Sequence, residues 1–240
     1  MNIKDVMDRV LYALSVPKCV CCGERLDYGQ NAFCRKCSTE FDEFCTRNCS
    51  KCSKILNECH CSMDYLEGHF VKNIVKCYRY IGNQGTSPGN ALIYSLKRDN
   101  RKDVLSFCAD KMELAIANSV KSPEKVIFTN VPRRNSAIVE YGIDHSEILA
   151  RELANRFNAE YCKILKSKAK IEQKSLDRSE RLKNADFSIV DDIDLKGKDV
   201  IIVDDIITSG ASMASAAALI RSMGCKNITA AALAIAYKDS

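Results

Sequence analysis

Two adjacent aspartates after an apolar run are the residues best placed to do chemistry. The segment reads Val200-Ile201-Ile202-Val203-Asp204-Asp205-Ile206-Ile207-Thr208-Ser209-Gly210-Ala211-Ser212. Four apolar residues predict a central strand, and open parallel sheets bind ligands at the carboxyl ends of their strands. Gly210 permits a tight turn. The hydroxyls and free N–H groups of the following helix N-terminus can surround a phosphate, aided by the helix dipole. Two acids beside a phosphate cradle repel it unless they hold something else, and sugar hydroxyls or a Mg²⁺ shell are the natural partners. The predicted ligand is a phosphorylated sugar with vicinal hydroxyls. An ordinary strand–turn–helix connection with Asp caps is the plain alternative, and the ordered combination of features argues against it.

The cysteines are the second chemical signal. Fourteen are present, and eleven of them fall between Cys19 and Cys77. Disulfides need an oxidising compartment, and no export signal is visible. Close pairs instead suit metal, because a C-x-x-C turn aims two sulfurs at one ion. Cys19-Val20-Cys21-Cys22-Gly23, Cys34-Arg35-Lys36-Cys37, Cys49-Ser50-Lys51-Cys52 and Cys59-His60-Cys61 supply such pairs. The simplest assignment is one or two structural zinc sites, the first of Cys19, Cys22, Cys34 and Cys37, the second of Cys49, Cys52, Cys59 and Cys61. In the second, His60 could replace one thiol, and pairing across the sites stays open. Structural zinc is favoured over redox or iron–sulfur chemistry on spacing. Cys21 and Cys45 read as plain thiols.

Elements must position these groups. Ile3, Val6, Met7, Val10, Leu11 and Leu14 lie on one face of an expected N-terminal helix ended by Pro17. Expected strands are 75–81, 125–131, 161–165, 199–203 and 227–237. Expected helices are 91–97, 104–117, 146–157 and 211–223, and 82–90 reads as a loop by composition. Strands alternating with helices predict an α/β fold: an open parallel sheet with flanking helices. The Cys-rich head becomes a small four-cysteine zinc-ribbon-like domain, giving an expected division into residues 1–74 and 75–240. A head with so few large apolar side chains needs metal staples, and removing zinc is expected to unfold it while sparing the body.

The 240 residues are 46% hydrophobic and 28% charged, which excludes global disorder. No apolar run reaches the ~18 residues of a membrane span, and a cytoplasmic location is expected. The net charge of +5 permits an anionic ligand without requiring one. Residues 163–183 hold eight basic and three acidic side chains, so the positive field is local. A solvated helix face is the plain reading of such a run.

The aspartate segment resembles the PRPP-binding loop of type I phosphoribosyltransferases. With the Cys-rich head, the chain from about Cys19 onward resembles the ComF family of competence-associated phosphoribosyltransferase-like proteins. Four blocks carry the resemblance: C-x-x-C-G…C-x-x-C in the head, Leu96-Lys97, Val131-Pro132 with Gly142, and Gln173…Leu176-Asp177-Arg178…Arg181…Asn184. The resemblance implies that Asp204 and Asp205 bind the ribose 2′- and 3′-hydroxyls and that Thr208, Ser209, Gly210, Ala211 and Ser212 hold the 5′-phosphate. It implies a pyrophosphate loop at Thr129-Asn130-Val131-Pro132 with Arg133 and Arg134, and a further phosphate contact at Lys97. The basic stretch then takes the place of the mobile loop that closes over PRPP, with Arg178 and Arg181 neutralising the departing pyrophosphate. Mg²⁺ would accompany PRPP. This chain departs from the usual Val-Pro-Val-Pro at Thr129–Pro132, and from Arg-Gly-Phe-Asn-Gln at Tyr141-Gly142-Ile143-Asp144-His145. The reading leans to an enzyme transferring phosphoribosyl groups in natural transformation. The alternative is a non-catalytic accessory that binds single-stranded DNA or a competence helicase, with Tyr28, Phe33, Phe41 and Phe44 as candidate stacking faces. A ligand-sensing regulator is a third reading. His145, at an expected helix start, suits a capping or surface role better than catalysis.

Overall fold

The computed structural model of the chain describes residues 16–49, 52–55, 58–59, 66, 68–80, 87–99, 101–133, 142–168, 187–190 and 193–236. The expected helix at Ile3–Leu14, together with His60, Cys61, Arg134, Arg178 and Arg181, lies outside these residues. Five helices are described: α1 (Arg35–Cys45), α2 (Pro88–Arg98), α3 (Lys102–Ser119), α4 (His145–Arg156) and α5 (Ala211–Ser222). The strands are β1 (Asn73–Tyr80), β2 (Ile127–Asn130), β3 (Glu160–Tyr161), β4 (Leu165–Ser167), β5 (Phe187–Ile189), β6 (Asp199–Ile207) and β7 (Asn227–Ala236), and a 3₁₀ turn covers Pro123–Lys125.

Five strands form one sheet in the order β1-β7-β6-β2-β3. Every pairing in it is parallel. Such a sheet needs both faces covered. On one face Leu149, Ala150, Leu153 and Ala154 of α4 and Val104, Cys108 and Met112 of α3 join a cluster with Phe128, Ile201 and Val203. On the other, Met213, Ala214, Ala216, Ala217 and Ile220 of α5 pack with Ile127, Val200 and Ile202. On this second face the small residues of α5 meet Ala230 and Ala232 of β7. Each large apolar side chain buried here contributes about 1.5–3 kcal/mol.

Connectivity now places the ligand crevice. The chain leaves β2 through α4 toward the β3 edge, and leaves β6 through α5 toward β7. The two crossovers diverge on opposite faces, so β2 and β6 are neighbours at a topological switch point. Ligands of open α/β sheets bind there, outside the carboxyl ends of the strands.

Local chemistry explains where the expected bounds shift. The expected loop at 82–90 yields its last three residues to α2: the Ser87 side chain accepts from the Asn90 N–H and Pro88 takes the first helical position. A serine followed by proline is a helix-start signal that outweighs loop-like composition. The expected strand at 161–165 is two strands. Cys162 N–H donates to the Phe128 carbonyl, and the chain then turns before β4. β4 pairs antiparallel with β5, a three-residue strand too short to show a period. β6 runs four residues beyond the expected Val203, so both aspartates lie within the strand.

The Cys-rich head packs directly on the body. One apolar cluster contains Cys19, Leu26, Phe33, Cys34, Cys37 and Phe41 of the head together with Tyr78, Leu92 and Ile116. The Phe41 ring meets Tyr78 at 5.2 Å, and Phe33 meets Phe107 at 5.3 Å. Arg101 Nη1 donates to the Lys18 carbonyl at 2.7 Å, and Lys111 pairs with Asp42 at 2.7 Å. Phe33 and Phe41 are therefore core residues, buried by these contacts and closed to base stacking. Phe44 packs partly against the same cluster, and Tyr28 is exposed.

Candidate functional site

Asp204 and Asp205 stand at the carboxyl end of β6, beside the end of β2, where Asn130 pairs with Val203. The two carboxyls are held differently. Asp205 is buried and faces cations: Arg133 Nη2 lies 3.0 Å from Oδ2 and Lys97 Nζ 3.4 Å from the same oxygen. Asp204 Oδ1 accepts the Ser146 hydroxyl at 3.0 Å and the Asp205 N–H at 2.8 Å. Burial, and then the charge of Asp205, push the Asp204 carboxyl well above the usual carboxylate range.

Arg133 is set by the start of α4. Asp144 caps this helix, its Oδ1 accepting the Glu147 N–H at 3.2 Å, while its Oδ2 accepts the Arg133 N–H at 3.0 Å. Asn130 adds Nδ2 to Asp144 at 3.4 Å and accepts the Tyr161 hydroxyl at 2.8 Å. His145, the first residue of α4, is buried rather than capping or surface-exposed; Asp144 does the capping. Burial, and then the Arg133 charge, bring the His145 imidazole down to about 4, so it is neutral near pH 7. Lys97 belongs to the last turn of α2. That helix is seated by Tyr78, whose buried hydroxyl donates to the Gly89 carbonyl at 2.8 Å.

The turn after β6 is open. Thr208, Ser209, Ala211 and Ser212 are exposed, and Gly210 alone in the turn is buried. Gly210 has φ +77°, the left-handed region that a side chain disfavours. A cavity of about 50 Å³ is lined by Asp204, Thr208, Ser209, Gly210, Ser212 and Met213. The first N–H groups of the twelve-residue α5 border it, with the positive end of the helix dipole. The carboxylates of Asp204 and Asp205 are the hard oxygen donors that Mg²⁺ and sugar hydroxyls prefer.

Of the expected ligand-binding residues, the structure gathers Asp204, Asp205, Arg133 and Lys97 into one ionic cluster beside the turn Thr208–Ser212. In the expected pyrophosphate loop, Thr129 and Asn130 form the end of β2, all four residues of Thr129–Pro132 are buried, and Arg133 is half-buried. Asn130, Asp144, His145, Ser146 and Tyr161 are additional polar residues of the site. Asp144-His-Ser-Glu147 has the spacing of a capping box and could have been read as one; nothing local marks Ser146 as a partner of Asp204.

The head presents two cysteine groups. The sulfurs of Cys19, Cys22, Cys34 and Cys37 all lie within 4.8 Å of one another, as do those of Cys49, Cys52 and Cys59. Cys22 Sγ and Cys34 Sγ are 3.6 Å apart; a tetrahedral zinc with bonds of about 2.3 Å has sulfur–sulfur edges of about 3.8 Å. Burial opposes the Cys19 thiolate, yet the N–H groups of Cys22, Cys34 and Cys21 outweigh it and bring the thiol down to about 7. Both groups fit structural zinc, and Cys61, expected in the second, lies outside the described residues. Cys45 lies outside both groups, half-buried, and burial pushes its thiol up to about 12.

The phosphoribosyl transferase domain family matches residues 143–239. Among solved structures, the chain is similar to a purine phosphoribosyltransferase from Pyrococcus horikoshii Ot3, at 21% identity over 54% of this chain and 73% of that one, with a TM-score of 0.37. It is similar to a hypoxanthine phosphoribosyltransferase from Staphylococcus aureus (12%, 62% and 68%, TM-score 0.32). The glutamine PRPP amidotransferase from B. subtilis, complexed with ADP and GMP, matches at 18% over 58% of this chain and 30% of that one, with a TM-score of 0.41. No curated protein matches the chain. The domain match and the observed sheet make the body a type I phosphoribosyltransferase-like fold.

Proposed function

We propose that the chain binds PRPP and transfers its phosphoribosyl group to a nucleophile, releasing pyrophosphate. The observation that carries this reading is the junction of β6 and α5: paired carboxylates and an open, hydroxyl-lined turn at the switch point of a type I phosphoribosyltransferase-like fold. The Asp204 and Asp205 carboxylates accept the ribose hydroxyls. The N–H and hydroxyl groups of Thr208–Ser212 hold the 5′-phosphate. Arg133 and Lys97, now on Asp205, share their charge with the diphosphate. In the reaction the bond between C1′ and the diphosphate oxygen breaks, its electron pair leaving with pyrophosphate. A new bond forms from the nucleophile to C1′, and the nucleophile loses a proton. Mg²⁺ accompanying PRPP, with Asp204 and Asp205 as its candidate oxygen donors, would supply charge neutralisation for the departing diphosphate. Arg178 and Arg181 are assigned the same task on the resemblance alone.

The resemblance to the ComF family sets this chemistry in natural transformation. Of the head aromatics offered as stacking faces for single-stranded DNA, Phe33 and Phe41 are buried, and Tyr28 is exposed. Lys163, the first cation of the basic stretch, is paired with Glu147 at 2.6 Å. Among the described residues no helix is long and apolar enough to cross a membrane.

Calorimetry with PRPP and Mg²⁺ tests the assignment. The wild type binds, and the double variant Asp204→Ala/Asp205→Ala loses the heat of binding. Equal binding by the variant overturns the assignment. Salt-dependent binding of single-stranded DNA that survives the same substitutions, with no PRPP binding in the wild type, would favour the accessory reading.

A further inference from the structure

Strand β1 sends two cations into the second cysteine group. Arg79 Nη2 donates to Cys59 Sγ at 2.8 Å and to Cys49 Sγ at 3.1 Å. Arg79 is 7% exposed, Cys49 2% and Cys59 0%. Lys76, 3% exposed, donates its Nζ to the Cys59 carbonyl. The third sulfur of the group, on Cys52, lies within 4.8 Å of the other two.

A guanidinium keeps its proton in any protein environment. Burying one costs several kcal/mol unless an anion accompanies it. Neutral thiols are weak acceptors and bring no charge, whereas a divalent ion with three thiolates carries −1 and with four −2. The fork of Arg79 therefore matches a metal–thiolate anion far better than a set of free thiols. Its N–H···S bonds also fix the side-chain directions of Cys49 and Cys59, as outer partners of metal ligands commonly do. Lys76 holds the backbone at Cys59, so both cations act on the same ligand from one strand.

We propose that Arg79 is the counter-charge and orienting donor of a thiolate-bound divalent metal centre at Cys49, Cys52 and Cys59, and that this centre clasps the Cys-rich head onto edge strand β1. Loss of the guanidinium weakens metal retention at this group and leaves the Cys19–Cys22–Cys34–Cys37 group as it was. The inference is independent of the phosphoribosyl reading.

The test uses the full chain loaded with zinc, then with cadmium-113. Zinc content by mass spectrometry reads two ions in the wild type and one in Cys52→Ser. In Arg79→Met, the ion at the second group leaves to a chelator roughly 10–100-fold faster than in the wild type, and release from the first group keeps its rate. Loss of an N–H···S bond moves one cadmium resonance and leaves the other in place, a signature that general loosening of the fold does not give. Arg79→Lys, which keeps the charge and most of the volume, recovers part of the retention while still shifting that resonance; it carries the test if Arg79→Met does not fold. The proposal is overturned if Arg79→Met releases both ions at wild-type rates, if both releases accelerate equally, or if the wild type holds one ion whose content Cys52→Ser leaves unchanged.

Discussion

Adjacent aspartates on a strand usually face opposite ways and live in different surroundings. Here Asp205 is matched by Arg133 and Lys97, while Asp204 rests on the Ser146 hydroxyl and a backbone N–H. Next to them His145 carries the most readable pH dependence. Its folded imidazole titrates at about 4, below the usual 6.5, because burial and then the Arg133 charge oppose protonation. A group depressed by folding stabilises above its unfolded value and loses that contribution as pH falls. The wild type should therefore lose stability relative to His145→Gln between about pH 6.5 and pH 4, read as urea midpoints. Parallel midpoints across that window would contradict the assignment. Asp204 has the opposite sign, since its folded carboxyl is raised and its contribution is lost as pH rises. It is common to both proteins and cancels in the difference. The aspartate pair and the turn were legible from residue order alone. The ion pairs to Arg133 and Lys97 join groups 72 and 108 residues distant in sequence, and no local pattern announces them.

At the scale of elements, the helix that delivers Lys97 is seated on an aromatic ring. Tyr78 is fully buried against Phe41 and Phe44 of α1, and its hydroxyl donates to the Gly89 carbonyl in α2. A Cβ at Gly89 would come within 2.8 Å of the Tyr78 ring. Gly89→Ala must therefore displace α2 or the ring, at a cost of about 1–3 kcal/mol for overpacking. Tyr78→Phe removes only the hydroxyl and should lower stability by about 0.5–1.5 kcal/mol. Both changes should weaken PRPP affinity through Lys97 while leaving the Asp204–Asp205 turn untouched. Gly89→Ala with wild-type stability and wild-type affinity would refute this seating. α3 could be read from its helical period, and β6 from the continuous apolar run that burial on both faces imposes. β5 and α1 could not: the first has three residues, and the second hides its Phe41 face among closely spaced cysteines.

For the molecule as a whole, the sequence suggests a Cys-rich head and a body able to unfold apart. The apolar cluster runs without interruption from Phe33 and Phe41 through Tyr78 to Ile116, and Arg101 and Lys111 bind the head from α3 and the residue before it. Interfaces of this kind make neighbouring units melt together. Stripping zinc with a chelator should therefore lower the melting temperature of the α3–α4 helical signal as well as of the head, in a single transition by circular dichroism. Two separate transitions, the later one at the wild-type temperature, would show that the shared core transmits little. The central claim concerns neither unit alone but the crevice at the β2–β6 switch point. A crystal soaked with PRPP and Mg²⁺ reads it directly. The ribose hydroxyls are expected on Asp204 and Asp205 with the 5′-phosphate on the N–H groups of Thr208–Ser212; PRPP bound elsewhere, or a turn left bare at saturating ligand, would contradict it.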